Sequence, residues 1–520
     1  MSSRLSPNRR QVLAALGIGA GATAVGACSF GAKGTKAGGR IRLVMFSEPK
    51  AALSPLSDDA FTLTRCSCAE TLTMLDEEGN AKGLLASAWT RVDNTTWRFT
   101  IRDGVTFHDG TVLSAENVAS SLTFTASAPK QPRVLNGVTL TATAEGKDVV
   151  IKTETADPLM PMRLSGPSLV ILSPAAYPDA AGGSVDPVGH GTGAFKLTKI
   201  TGKASATFDR YNKYWGDKAK AEGLDVTFVP EGSTRASSLI SGNADLVEAI
   251  PIAQLSSVEQ SAAVDEIAIS RACTLYLNTS KVFSDPGLRA AVCAAINAQD
   301  IVDKVYEGHA DASAGLLGSM VSWAADLRAW GRDVYSGASG AAAAGKVPGF
   351  PAATAVPAGT SITLGSYSDR PELPEAVVLL AQQLEQIGFT VTQDVRDYSQ
   401  IETDALAGRF DAFLMSRNTV LDTGDSVAYM ASDYSSTGTN ALTFLKDGTV
   451  DAAISNAAVT EPGQERQKAT MEAEHAILAT GAVVPILHER IRVGHAKELT
   501  GVALDPRERA LVTTSTTLGK

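Results

Sequence analysis

The chain has 520 residues, with 46 Lys+Arg against 56 Asp+Glu and a formal charge of −10. That acidic balance disfavours nucleic-acid binding, which needs clustered cations to neutralise phosphates. Its five cysteines form no Cys-x-x-Cys or Cys/His cluster to hold zinc, and the length sets an expectation of two or three globular domains.

Arg4, Arg9 and Arg10 are followed by an apolar stretch from Val12 to Val25, rich in Ala and Gly, with no acid before it. This is the layout of an export signal. The stretch has 14 residues, whereas a helix needs about 20 to span a bilayer, so no permanent transmembrane helix is expected. Arg9-Arg10 resembles a twin-arginine signal, although Gln11 follows the pair and Val12-Leu13 stands where Phe-Leu is usual. Val25-Gly26-Ala27-Cys28 looks like a bacterial lipobox, in which cleavage leaves Cys28 as a lipid-carrying first residue. Residues 1–27 are therefore expected to be removed and 28–39, mostly Gly, Ala, Lys, Ser and Thr, to form a flexible tether. The remaining 493 residues carry a formal charge of −13 and no stretch that approaches a membrane span.

A first strand is expected at Arg40–Met45 and a second unit from Ala69 to Leu75. Residues Thr96 to Arg102 alternate, with Trp97, Phe99 and Ile101 on one face and Arg98, Thr100 and Arg102 on the other, as in a half-buried strand. Asp103-Gly104 turns the chain, and Ser114 caps a helix through Phe124 with Glu116 in its first turn. Strands follow near 138–143 and 148–154, then a Pro- and Gly-rich loop at 174–193, a strand at Leu224–Val229 and a helix near Thr234–Ile240.

Asp285-Pro286 opens a further helix. Residues 336–360 are low in complexity and read as surface loop. Pro374 opens a helix with Val377, Leu380, Ala381, Leu384 and Ile387 at helical spacing, which Gly388 ends. Strands at Phe389–Val391 and Phe410–Met415 follow, then a long helix over Glu461–Ala479; strand, helix and strand in that order predict an α/β unit with a parallel sheet. Cys66 and Cys68 are too close for a comfortable mutual disulfide; Cys273 and Cys293 could pair, but they sit among apolar neighbours and read as buried thiols.

Leu84-Leu85-Ala86-Ser87-Ala88-Trp89, the run from Trp97 to Gly110, and Ser114 to Val118 together resemble the signature of the peptide/nickel class, family 5, of ABC-transporter solute-binding proteins. Further blocks keep the family's order: Asp186 to Gly189 with Gly191 to Phe195, Asp209 to Trp215, Gly242 to Leu246, Leu277 to Thr279, Arg289 to Val292 with Ala295 to Asn297, Leu384 to Phe389, and Val484 to Ile486. The resemblance covers nearly the whole mature chain. It implies an α/β, two-lobed periplasmic-binding-protein-like fold of class II type that closes over a solute. Lobe I would comprise residues 40–272 plus 485–520, with an extra subdomain at about 73–185, and lobe II residues 273–484. It also implies a monomeric, lipid-anchored component of an importer on the extracytoplasmic face of the membrane, with permease subunits as partners and short peptides as the expected solute. A metal chelate, either nickel/metallophore or opine-like, is the alternative, and a ligand-sensing lipoprotein without transport the alternative of another class.

In peptide-binding members an Asp of the second lobe pairs with the ligand's amino terminus. Asp425 matches that position best and Asp422 is the fallback, although Ser426 replaces the family's Pro. Nickel-complex binders use Arg before a Ser-Pro dipeptide; Gly166 to Pro174 contains none, leaving Arg163 and Arg417 as carboxylate clamps. Tyr429 and Trp323 are candidate cleft aromatics, with Trp215 a further possibility. His108, inside the family turn, reads as structural, and Val188 to Gly193 as a turn between lobes, since it lacks the Lys-Ser/Thr of a phosphate loop. With no Gly-x-Ser-x-Gly and no His-Glu-x-x-His, neither an enzyme nor a bound cofactor or metal is expected.

Overall fold

The computed structural model describes residues 39–178, 183–328, 350–420 and 423–519. The export signal, Cys28, nearly all of the tether, Asp422 and much of the low-complexity segment lie outside them. Among the described residues an eleven-stranded mixed sheet runs through both lobes. In lobe I, Arg40–Met45 lies between Gly223–Phe228 and Leu246–Val247, parallel to both, and Ser205–Arg210 and Phe195–Thr201 extend the edge antiparallel. In lobe II, Ser361–Tyr367 pairs in parallel with Thr390–Arg396 and with Ala412–Asn418. The helix between the first two, Glu372–Gln386, buries Leu373, Val377, Leu380 and Leu384, completing the expected parallel α/β unit. It starts two residues before Pro374, because a proline is tolerated within a first turn whose amides have no intrahelical partner.

Two long antiparallel strands join the lobes: Ala263–Leu277 and Val483–His495. The expected lobe boundaries at 272/273 and 484/485 fall inside them. Their pairing breaks between Ala268 and Ala272. There the Ser270 amide donates instead to the Pro506 carbonyl, and the Ser270 carbonyl accepts from the Thr419 amide. A bulge of this kind bends a strand, and here it lies where the chain passes from one lobe to the other.

A separate four-stranded sheet, in the order Ala86–Arg91, Thr96–Ile101, Asp148–Thr153 and Leu140–Glu145, builds the subdomain. The alternation in its second strand is realised: Trp97, Phe99 and Ile101 are buried while Arg98 and Thr100 are half-exposed. Each such aromatic or aliphatic side chain stabilises by about 1.5–3 kcal/mol. Helix Ala115–Ser127 covers this sheet, capped by Ser114 as expected. Gly104 closes its turn at φ 79°, a left-handed conformation that glycine adopts without strain.

The family's separated sequence blocks meet in space. Arg102 lies over the Trp215 ring at 4.6 Å, and Trp215 and Tyr214 both donate to buried Glu70, at 3.0 and 2.8 Å. His108 bonds through Nε2 to the Gly193 carbonyl at 2.9 Å and packs edge-on against Tyr211, which makes it structural. A Cβ on Gly191 or Gly193 would come within 2.2 Å of the Cys68 or Ser67 carbonyl, so that loop is packed tightly on lobe I. Cys66, Cys68, Cys273 and Cys293 are free and buried.

Candidate functional site

In an open α/β sheet, ligands bind beyond the carboxyl ends of the parallel strands. In lobe I those ends are Met45, Phe228 and Val247; in lobe II they are Tyr367, Arg396 and Asn418. The joining strands form the floor between them, and charges collect there.

Glu248 follows Val247 directly and is fully buried. Arg65, the last residue of helix Ala60–Arg65, places Nη1 3.1 Å from Glu248 Oε1 and Nη2 3.7 Å from Glu508 Oε1. Glu508, on the C-terminal return, accepts from Arg271 Nε at 3.1 Å. Arg271 lies on the joining strand at its bulge. The result is an alternating chain, Glu248, Arg65, Glu508 and Arg271, crossing from lobe I to the floor. Beside it Arg370, three residues past Tyr367, donates to Glu489 of the second joining strand at 2.8 Å.

Burial sets the electrostatics of this group. It pushes the Glu248 carboxyl up, against the pull of Arg65. It would raise Glu508 as well, but Arg271, Arg65 and Arg370 outweigh it and hold that carboxyl below its ordinary range. Desolvation opposes the charge on Arg370, and Glu489 overrides it. Charges held this way are already dehydrated and paired, so a solute bearing both signs exchanges partners with them instead of stripping water from a naked charge.

Of the residues singled out from sequence, Arg417 stands opposite Ala272 of the joining strand, and the described ones are engaged within the protein. Asp425 caps helix Ser426–Tyr434 by accepting from the Val427 amide, and its carboxylate is bound by Arg466 at 2.9 and 3.0 Å. Arg417 makes a two-point pair with fully buried Asp433, at 2.9 and 3.0 Å. Tyr429 is fully buried, its hydroxyl bonded to that of Tyr434. Trp323 is half-buried against the lobe II core, and Arg163 is held by Asp157 at 2.6 Å. Asp422 lies outside the described residues. The floor charges carry no motif: Glu248 stands after a two-residue apolar strand, and Arg271 and Arg370 gain their neighbours only through folding.

One mixed sheet whose two halves are joined by a long antiparallel pair is the α/β, two-lobed architecture of the periplasmic-binding-protein-like folds. The sequence profile of the bacterial extracellular solute-binding proteins, family 5, matches residues 80–441, and the chain belongs to that family. Members are binding components of ABC importers that act outside the cytoplasm, and they are not enzymes. The chain is 23% identical over 337 residues to the nickel-binding protein NikA of Staphylococcus aureus, covering 64% of this chain and 65% of that one, just under two thirds of its length. It is 24% identical over 449 residues to the glutathione-binding protein GsiB of Salmonella typhi, covering 83% and 85%. The structure of the DppA binding protein from Helicobacter pylori, in complex with peptide STSA, matches with a TM-score of 0.74 at 19% identity over 93% of this chain and 99% of that one. Among the described residues no helix is long and apolar enough to cross a membrane.

Proposed function

We propose that the mature chain is a lipid-anchored receptor that captures short peptides between its lobes and delivers them to permease subunits in the membrane. The observation that carries this reading is the floor of paired charges of both signs, Glu248, Arg65, Glu508, Arg271, Arg370 and Glu489, near the carboxyl ends of the parallel strands of both lobes. A short peptide is a zwitterion, and its ammonium and carboxylate fit such a floor better than an uncharged sugar does. The peptide-bound fold relative and the glutathione-binding relative support the same class. Asp422 remains the acid of the 418–425 loop available to this reading, since Asp425 is committed to Arg466.

Anchoring follows from Cys28 and its lipobox, with the acyl chains holding the protein at the membrane surface as a monomer. Cys28→Ser should release the protein into the soluble fraction.

The nickel-binding relative favours a second reading, in which a metal is captured. A metal delivered inside a chelate that brings its own ligands would need no bare-ion site, and among the described residues no three His, Cys, Asp or Glu side chains gather to form one. Calorimetry and native mass spectrometry of the mature protein separate the two. Binding of short peptides supports the proposal; binding of nickel–histidine complexes alone replaces it with the chelate reading.

A further inference from the structure

Glu248 is the one member of the floor whose carboxylate is fully buried yet makes no well-aligned hydrogen bond through either oxygen, with only a backbone contact from Phe46 beside it. Arg65 lies 3.1 Å from Oε1 but off the angle of a hydrogen bond. An ionised carboxylate offers about four acceptor sites, and leaving them unmet away from water is costly. Both Glu248 and Arg65 line a recess walled by Ile267 and Ile491, which are cross-strand partners on the joining strands, together with Val493, Leu511 and the acids Asp505 and Glu508. The backbone around it is strained. Ala249, next in chain, has φ 50°, and Glu508, on the far side of Arg65, has φ 58°. Side-chain-bearing residues in that region cost about 1 kcal/mol or more each and gather at functional sites.

We infer that Glu248 is the counter-charge for a primary ammonium group of the captured solute, received from lobe I in the recess that Ile267, Ile491 and Arg65 share with the acids Asp505 and Glu508. This deepens the peptide reading above and rests on it. The chemistry selects an ammonium over other cations. It is a compact charge with three donors that fits a narrow slot, whereas a guanidinium needs a planar, bidentate face. Its donors meet the empty acceptor positions of Glu248 as charge-assisted hydrogen bonds, while Arg65 balances the second carboxylate, Glu508. Asp425 is unavailable for the task, its oxygens being taken by Arg466 and the Val427 amide. A site built to hydrogen-bond an N–H rejects the analogue that lacks it, because the buried acceptor is then stranded.

The test compares mature wild type with Glu248→Gln, using a pool of random tripeptides, the same pool N-acetylated, and a pool of simple alkylamines. Native mass spectrometry reads occupancy, and a thermal melt of each protein confirms folding. Wild type is expected to prefer free-amine peptides by at least about a hundredfold, and Glu248→Gln to lose that preference. Two results overturn the inference: wild type that does not discriminate between the peptide pools, or a folded Glu248→Gln that keeps the full preference. If Glu248→Gln does not fold, the wild-type comparison decides alone. If neither peptide pool binds wild type, the peptide reading fails, and the ammonium site is judged separately on the alkylamines: stabilisation of wild type sustains it and its absence removes it.

Discussion

The carboxylate of Asp425 and the guanidinium of Arg466 form a two-point pair, Oδ2 to Nε at 2.9 Å and Oδ1 to Nη2 at 3.0 Å, between the start of helix Ser426–Tyr434 and helix Gln464–Ala479. Arg466 also donates to the carbonyls of Ala457 and Thr460, so it locks the turn between two helices. Removing the acid strands a nearly buried guanidinium, which costs about 3–5 kcal/mol. Asp425→Ala should therefore lower unfolding free energy by that amount in a denaturant titration, while the folded fraction keeps its affinity for solute. An intact melt with lost affinity would instead return Asp425 to the ligand site.

That pair shows what the sequence made legible. Local signals were read well: the alternation from Trp97 to Ile101, Ser114 as a cap, Asp285-Pro286 as a helix start, and the apolar spacing from Val377 to Leu384 all depend on neighbours within one turn or one strand. Acidic residues beside glycine mark both caps and binding loops, so Gly424-Asp425 was ambiguous until Arg466, 41 residues on, came into place. The floor charges were not legible at all. Arg65 meets Glu248 and Glu508 across more than 180 and 440 positions, and their isolation in sequence gives no pattern to find. Helix Gly448–Val459 also escaped notice, its face being too uniformly small and apolar to show a period.

Arg91 of the subdomain pairs with Glu461 of lobe II, where the chain leaves helix Gly448–Val459. The pair ties the subdomain to lobe II, and the Glu461 side chain is 63% exposed, so its worth is at most about 1 kcal/mol and falls with salt. Glu461→Gln should shift the population toward open lobes and weaken solute affinity by up to about fivefold at low salt, with the difference from wild type vanishing near 1 M salt. Interlobe fluorescence energy transfer and calorimetry measure the two effects.

Acid should weaken the fold through its buried histidines. Burial lowers both His108 and His488 to about 4, whereas an unfolded histidine titrates near 6.5. Between those values the unfolded chain binds more protons than the folded one, so stability falls as pH drops from about 6.5 to about 4. Each histidine accounts for on the order of 3 kcal/mol over that window. His108→Phe should flatten part of the slope in denaturant titrations between pH 7 and 4.5; an unchanged slope would mean that His108 is protonated in the folded protein.

Gly424 offers the most direct handle on closure. It sits at φ 76°, and a Cβ there would lie 2.2 Å from Cδ1 of Leu75, across the gap between the lobe II loop and the subdomain. A larger side chain has to strain its own backbone and push Leu75 aside, effects worth about 1–3 kcal/mol. Closure of the lobes would bring this loop and Leu75 together, so the clash is expected to fall on the closed state while an open state bears only the backbone strain. Gly424→Val should therefore reduce solute affinity by roughly tenfold or more, with a smaller change in melting temperature. Adding Leu75→Ala clears the space and should restore most of the affinity, leaving only the backbone term. Equal losses in the single and double variants would mean that backbone strain, not contact with Leu75, carries the effect.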